Sequence, residues 1–110
     1  MKNALPKAPA GLSKAALTWW KRLVDSYAIT DDAGLLMLQT ALEAFDRMNQ
    51  ARALIEKHGV LILDKAGQLK PNPATTVERD CRSAMMLALK NMHFDLEVVK
   101  GIGRPPGSYL

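Results

Sequence analysis

A chain of 110 residues is enough for one domain with a modest core. Hydrophobic residues make up 48% of it and Phe, Trp and Tyr only 5%, so that core is built from Ala, Leu, Val, Ile and six Met, the palette of packed helices rather than of a β-sandwich. The single cysteine, Cys81, excludes an intrachain disulfide, the N-terminal residues lack the apolar core of a signal peptide, and no apolar run approaches the ~20 residues of a membrane span. The composition therefore predicts a soluble, intracellular protein with no membrane partner.

The net charge of +4 is unevenly placed. Residues 1–24 hold Lys2, Lys7, Lys14, Lys21 and Arg22 and no acid, giving +5, whereas residues 25–110 set ten cations against all eleven acids, giving −1. A cationic end attracts polyanions, of which nucleic acid is the commonest inside cells; the alternative is a solvated basic tail.

In chain order, Pro6, Pro9 and Gly11 among lysines and alanines predict a flexible basic arm over residues 1–12. Ser13 can cap a first helix running to about Tyr27, with Ala16, Trp19, Trp20, Leu23, Val24 and Tyr27 on one apolar face. Adjacent tryptophans diverge by about 100° on a helix, so one belongs to the core and the other to its margin. Thr30, followed by Asp31 and Asp32, predicts the start of a second helix, its hydroxyl capping free amides. That helix meets no stop until His58 and Gly59, some 28 residues or roughly 40 Å later. Its stripe is Leu35, Leu38, Leu42, Phe45, Met48, Ala51 and Ile55, with Glu43 and Arg47, and Arg52 and Glu56, spaced as i,i+4 ion pairs. The first helix can cover only part of such a rod, so another helix or subunit must cover the rest.

Residues 60–63 and 68–70 flank Asp64-Lys65-Ala66-Gly67 and predict a small β-hairpin, or else an ordered loop with an apolar buckle. An isolated hairpin is marginal in water and needs a helix or a neighbouring sheet to pack against. Asn72 and Pro73 then read as an N-cap and a first-turn proline, launching a third helix to about His93 with Val77, Cys81, Ala84, Met85, Ala88, Leu89 and Met92 on one face and Glu78 paired with Arg82. A short helical turn over 96–100 is expected. Beyond it Gly101, Gly103, Pro105, Pro106 and Gly107 break regular structure. The fold class is thus mainly α: a helical domain over residues 13–94 with one long central helix, an antiparallel partner helix and a small β-hairpin between them, followed by a C-terminal tail over 95–110.

The sequence is poor in catalytic patterns. His58 and His93 stand 35 residues apart and share no ligand spacing with Cys81, which suits a small core position better. There is no phosphate-binding glycine loop, nucleophile elbow or zinc-protease helix motif. Asp31 and Asp32 suit a helix N-terminus, and Glu78 and Asp80 flank Arg79 on a charged helix surface. Lys14, Lys21 and Arg22, at offsets of zero, seven and eight, share one side of the first helix and can meet phosphates, with Lys2 and Lys7 adding contacts from the arm. No cofactor and no enzymatic activity are expected.

The basic arm, the Trp19-Trp20 helix, the long helix over 30–58, the Lys70-Pro71-Asn72-Pro73-Ala74 launch, the Glu78-Arg79-Asp80 helix and the late Gly103-Arg104-Pro105-Pro106-Gly107 follow one another over residues 11–107. In that order they resemble the small subunit of tailed-phage terminases. The resemblance implies a non-enzymatic, ring-forming homo-oligomer in the host cytoplasm that binds double-stranded viral DNA and hands it to the large subunit, which supplies the ATPase motor and nuclease. The basic N-terminal residues Lys2, Lys7, Lys14, Lys21 and Arg22 are then the expected DNA-contacting set. Leu38, Leu42, Phe45, Met48, Val60, Ile62 and Leu69 become the oligomerisation set, and Arg104, Pro105 and Pro106 the contact for the large subunit. The competing expectations are a small dimeric DNA-binding transcriptional regulator and a scaffold that binds only protein.

Overall fold

The computed structural model describes residues 6–94; Lys2, the expected turn over 96–100, and Arg104, Pro105 and Pro106 lie outside the described residues. Ser13 caps α1, Lys14–Tyr27, its hydroxyl accepting the Ala16 amide at 3.0 Å. The same hydroxyl donates to Asp46 in the middle of the next helix, and the Ser13 amide donates to the other oxygen of that carboxylate at 2.8 Å. The start of α1 is thereby tied to a helix 33 residues away in sequence. Ala28 closes α1 in the left-handed region, its amide bonded to the Val24 carbonyl.

The long helix, α2, is Asp32–His58. Its cap is Asp31 and not Thr30 as the sequence suggested: Asp31 keeps an extended backbone and its carboxylate accepts the Gly34 amide at 2.8 Å. A full negative charge suits the positive end of the helix better than a hydroxyl does. At the far end Gly59 adopts φ 89°, ψ 169°, a region open essentially to glycine alone.

The chain then forms an antiparallel ladder of β1, Leu61–Leu63, with β2, Leu69–Pro71, pairing Leu61 with Pro71, Ile62 with Lys70 and Leu63 with Leu69. The turn between them closes on the Gly67 amide bonded to the Asp64 carbonyl, while the Asp64 carboxylate accepts from the amides of Ala66 and Gln68 at 2.9 Å. Pro71 lacks a donor, but Asn72 resumes the ladder by donating its amide to the Val60 carbonyl at 2.8 Å.

Asn72 then performs two further tasks. Its side-chain oxygen accepts the Ala74 amide at 2.9 Å, capping α3, Pro73–Asn91, with Pro73 in the first turn. Its side-chain nitrogen donates to the Gly59 carbonyl at 2.9 Å. Among the described residues Asn72 is the one buried polar side chain, and it joins the end of α2, the root of the hairpin and the start of α3.

α3 returns antiparallel along α2, and this pair forms the most extensive packing between elements. Ala44 and Ala51 on α2 and Ala74 and Ala88 on α3 are buried, and small side chains let helix axes approach closely. α1 lies against the N-terminal half of α2, where Ala16, Trp20, Val24, Ile29, Leu38 and Leu42 make the main core cluster. Met92 and Phe94, at the end of α3, reach that cluster, and the Phe94 ring meets Tyr27 with centroids 4.3 Å apart. Ala8 and Leu12 pack on it too, and Trp20 donates its indole N–H to the Pro6 carbonyl at 3.2 Å. The segment expected to be free over residues 1–12 is therefore held against the core from Pro6 onward.

The expected pairing of Arg52 with Glu56 gives way to a contact between helices. Arg52 meets Glu78 of α3 at 3.1 Å, and Arg82 meets the same carboxylate at 3.2 Å from one turn on, as its spacing implies. Glu43 accepts from Gln39 instead of Arg47. The Glu78 carboxyl is held below its ordinary value chiefly by its hydrogen bond from Arg82, with partial burial opposing and Arg52 adding to the lowering.

Two outcomes follow from this packing. Asn72→Ala strands the Gly59 carbonyl and the Ala74 amide together, and urea unfolding should show a loss of about 2–3 kcal/mol. A carboxyl whose folded-state pKa is depressed stabilises the fold above its ordinary value of 4.5 and loses that contribution as pH falls through the folded-state value. Glu78→Gln should accordingly lower Tm at pH 7, and the difference from the unaltered chain should close as the pH is taken below about 4.

Candidate nucleic-acid interface and assembly surface

α1 has two opposed faces. Ala16, Trp20 and Val24 face α2 and are buried. Lys14, Lys21 and Arg22 fall on the opposite side, with Thr18 between them, and all four are exposed. Among the described residues no acid pairs with these three cations. The Arg22 guanidinium lies over the Trp19 ring, 4.9 Å from its centroid, an arrangement that holds a cation at the surface without neutralising it. Trp19 is thus the marginal tryptophan and Trp20 the core one.

The stripe is not purely basic. Asp25, just beyond the acid-free N-terminal end, is exposed one turn after Lys21 and Arg22 and closes the stripe at its C-terminal end. Lys7 does not join the stripe. It lines a shallow depression with Trp20 and Asp32 on the other side of α1, because the Trp20 indole holds the preceding segment there through Pro6. The structure therefore brings together Lys14, Lys21 and Arg22 and leaves Lys7 apart. Lys57, on the last turn of α2, and Lys65 and Lys70, on the hairpin, are also exposed.

Of the seven side chains expected to bind neighbouring subunits, Leu38, Leu42 and Met48 are buried at 0%, 4% and 4% exposure within a single chain. The chain's own helices cover most of their surface, and only Leu42 and Met48 of the three also reach the floor of an apolar groove. Phe45 is half-buried beside the core. The hairpin register divides the other three. Residues paired across a ladder share a face and successive residues alternate, so Leu61, Leu63, Leu69 and Pro71 stand on one side, with Ile62 and Lys70 on the other. Ile62 is half-buried and Val60, just before β1, is 60% exposed, while Leu61, Leu63 and Leu69 are 51%, 66% and 66% exposed. Leu61 and Leu63, which sequence reasoning passed over, thus complete an apolar face with Leu69. Five residues, 64–68, separate the paired Leu63 and Leu69, one more than the four-residue turn the sequence suggested, and that one residue puts Leu69 on the face of Leu61 and Leu63 instead of that of Ile62. Leu54 and Val77, also exposed, continue the apolar surface onto α2 and α3 around Asn72.

A second apolar feature lies nearer the N-terminal half of α2. All three helices wall a groove of about 300 Å³ whose lining side chains, including Trp19, Leu23, Phe45, Met85, Leu89 and Phe94, are all apolar. Among the described residues no group of three or more His, Cys, Asp or Glu is placed to hold a metal ion, and no helix is long and apolar enough to cross a membrane. Cys81 is half-buried on α3 and unpaired with any other cysteine.

No curated protein and no solved structure matches the chain significantly. A family model described as phage terminase, small subunit, does match, over residues 16–96. The matched region begins inside α1 and takes in the whole of α2, the hairpin and α3, the unit whose packing has just been described, and the chain belongs to the phage terminase small-subunit family, with a role in phage DNA packaging.

Proposed function

We propose that this chain is a non-enzymatic DNA-recognition subunit that assembles with copies of itself in the host cytoplasm, binds double-stranded viral DNA and presents it to the terminase large subunit. The observation that carries the DNA-binding part is the outward face of α1. Lys14, Lys21 and Arg22 stand exposed there, opposite the buried Trp20 face, without an acidic partner among the described residues. Cations presented from one rigid helix contact phosphates and fix orientation without naming bases. Lys2 and Lys7 belong to the same proposal as auxiliary contacts, Lys7 from a different side of α1.

Self-assembly draws its support from the exposed Leu61, Leu63 and Leu69 of the hairpin and from Leu54 and Val77 beside it. Apolar surface of this extent, contiguous and uncovered, marks a protein interface. Arg104, Pro105 and Pro106 are proposed as the contact for the large subunit, and deletion of residues 101–110 should abolish that association while leaving self-assembly intact.

The decisive measurement for DNA binding is a salt titration. Lys14→Gln, Lys21→Gln and Arg22→Gln combined should weaken binding to a duplex at least tenfold near physiological salt and reduce the slope of log K against log salt by about 2–3, since each phosphate contact contributes ~0.9 to that slope. Unchanged affinity and slope would remove α1 from the interface. Native mass measurement without DNA separates the readings of assembly: a closed multimer supports the terminase role, a dimer with a palindromic footprint supports a transcriptional regulator, and assembly without any DNA affinity supports a protein scaffold.

A further inference from the structure

We infer that the hairpin of one copy seats its Leu61, Leu63 and Leu69 face in the α1, α2 and α3 groove of the next copy, an inference that rests on the self-assembling reading above. The hairpin projects three large aliphatic side chains into solvent at half exposure or more, and a two-stranded hairpin needs its apolar face covered to be stable. The groove is the matching concave feature, about 300 Å³ and lined wholly by apolar side chains, with Met48 and Met85 in its walls. Methionine adapts its shape to an incoming aliphatic chain better than branched residues do.

The two features of one chain cannot meet each other. The hairpin is rooted at Gly59 and Asn72, where α2 ends and α3 begins, and Asn72 bonds both helices there. The groove lies more than ten residues away along each helix, around Phe45 to Met48 on α2 and Met85 to Leu89 on α3, a distance of roughly 20 Å along rigid helices. Among the described residues no segment of the same chain fills the groove, and a second copy carries the fitting surface at equal concentration. Together the hairpin face and its flanking Leu54 and Val77 offer on the order of several hundred Å² of apolar surface, the scale of the apolar heart of an interface burying ~800 Å² per partner.

The pairing also has a consequence for symmetry. A patch that meets its own copy gives a two-fold dimer, whereas a patch that meets a different one is heterologous and propagates from subunit to subunit until the rotation closes a ring. The hairpin face and the groove are two such different patches on one chain. Trp19 stands on the rim of the groove at 41% exposure, so each half of the contact can be spoiled at an exposed position.

Leu63→Asp and Trp19→Glu should each leave the chain monomeric by native mass measurement, with far-UV circular dichroism and Tm close to those of the unaltered chain. Mixed in equal amounts, the two should form a 1:1 heterodimer and nothing larger, because one intact hairpin then meets one intact groove. If the unaltered chain assembles but the mixture stays monomeric, or if either variant assembles like the unaltered chain, the docking is wrong while self-assembly stands. If the unaltered chain is itself monomeric, both readings fall. Should either charged variant lose its fold, cysteine pairing on a Cys81→Ser background gives the same answer. Leu63→Cys and Trp19→Cys on separate chains should join in a disulfide under mild oxidation. Absence of that disulfide in an assembled sample would overturn the inference, as would preferential pairing of Trp19→Cys with Val98→Cys in one chain, which gives the groove to the chain's own C-terminal segment.

Discussion

The fold hangs on one amide side chain. Asn72 is buried, and an amide buried without partners costs far more than a satisfied one contributes. Its oxygen holds the first turn of α3 and its nitrogen holds the last carbonyl of the α2 terminus, while its backbone completes the hairpin ladder. These three bonds fix where α3 starts relative to where α2 stops. Gly59 makes the arrangement possible, because only its backbone can turn the chain out of α2 with the carbonyl aimed at Asn72. The alanine-lined contact between the helices then follows from the joint, as does the placement of Glu78 between Arg52 and Arg82. A carboxylate shared by two guanidiniums, one from each helix, adds a polar tie between α2 and α3 at the surface of that contact.

The attachment of α1 rests on a different device. Ser13 both caps its own helix and donates to Asp46, so the start of α1 is tied to α2 by an ionised acceptor, the stronger class of hydrogen bond. Trp20 and Val24 seal the same face along its length. Because one side of the helix is committed to the core, the opposite side is left to carry charge at no cost in packing. Burial on one face and cations on the other are two aspects of a single amphipathic pattern.

Much of this was legible in the sequence because it is written in punctuation. Ser13, Gly59, Asn72 and Pro73 each have one physical use at a helix end, and each is found in it. What escaped was whatever depends on which element lands where. Thr30 and Asp31 both offer capping oxygens, and only the backbone at Asp31 decides between them. Arg52 has an acid four residues on, yet prefers one brought alongside by α3. The apolar stripe of α2 announces that Leu38, Leu42 and Met48 are covered but not by what: the chain buries Leu38 outright and leaves Leu42 and Met48 at the floor of a groove. Lys7 shares a stretch of sequence with Lys14 and is carried to another side by a single indole hydrogen bond. On the hairpin, one residue of register separates the exposed Leu61 and Leu63 from the half-buried Ile62, since a shift of one exchanges the faces of a strand.

Rigidity links these local devices to the proposed assembly. A hairpin on a loose joint would lose the orientation that a head-to-tail contact transmits, and a small angular freedom repeated around a ring would prevent closure. Here the hairpin continues directly from a helix of 27 residues and is bonded to both helices at its root, so its direction is a property of the α2 and α3 pair. The groove is walled by that same pair together with α1. Donor surface and acceptor surface therefore belong to one body, and the angle between them is set within each chain before any neighbour arrives. Because the cationic stripe of α1 belongs to that same body, every turn of such an assembly would repeat it in the same orientation. The single stripe is short, with three cations and Asp25 at its end, and would hold duplex weakly on its own. Repetition through a fixed geometry raises the effective concentration of each further contact, so weak stripes can sum to firm binding without any one of them recognising a base.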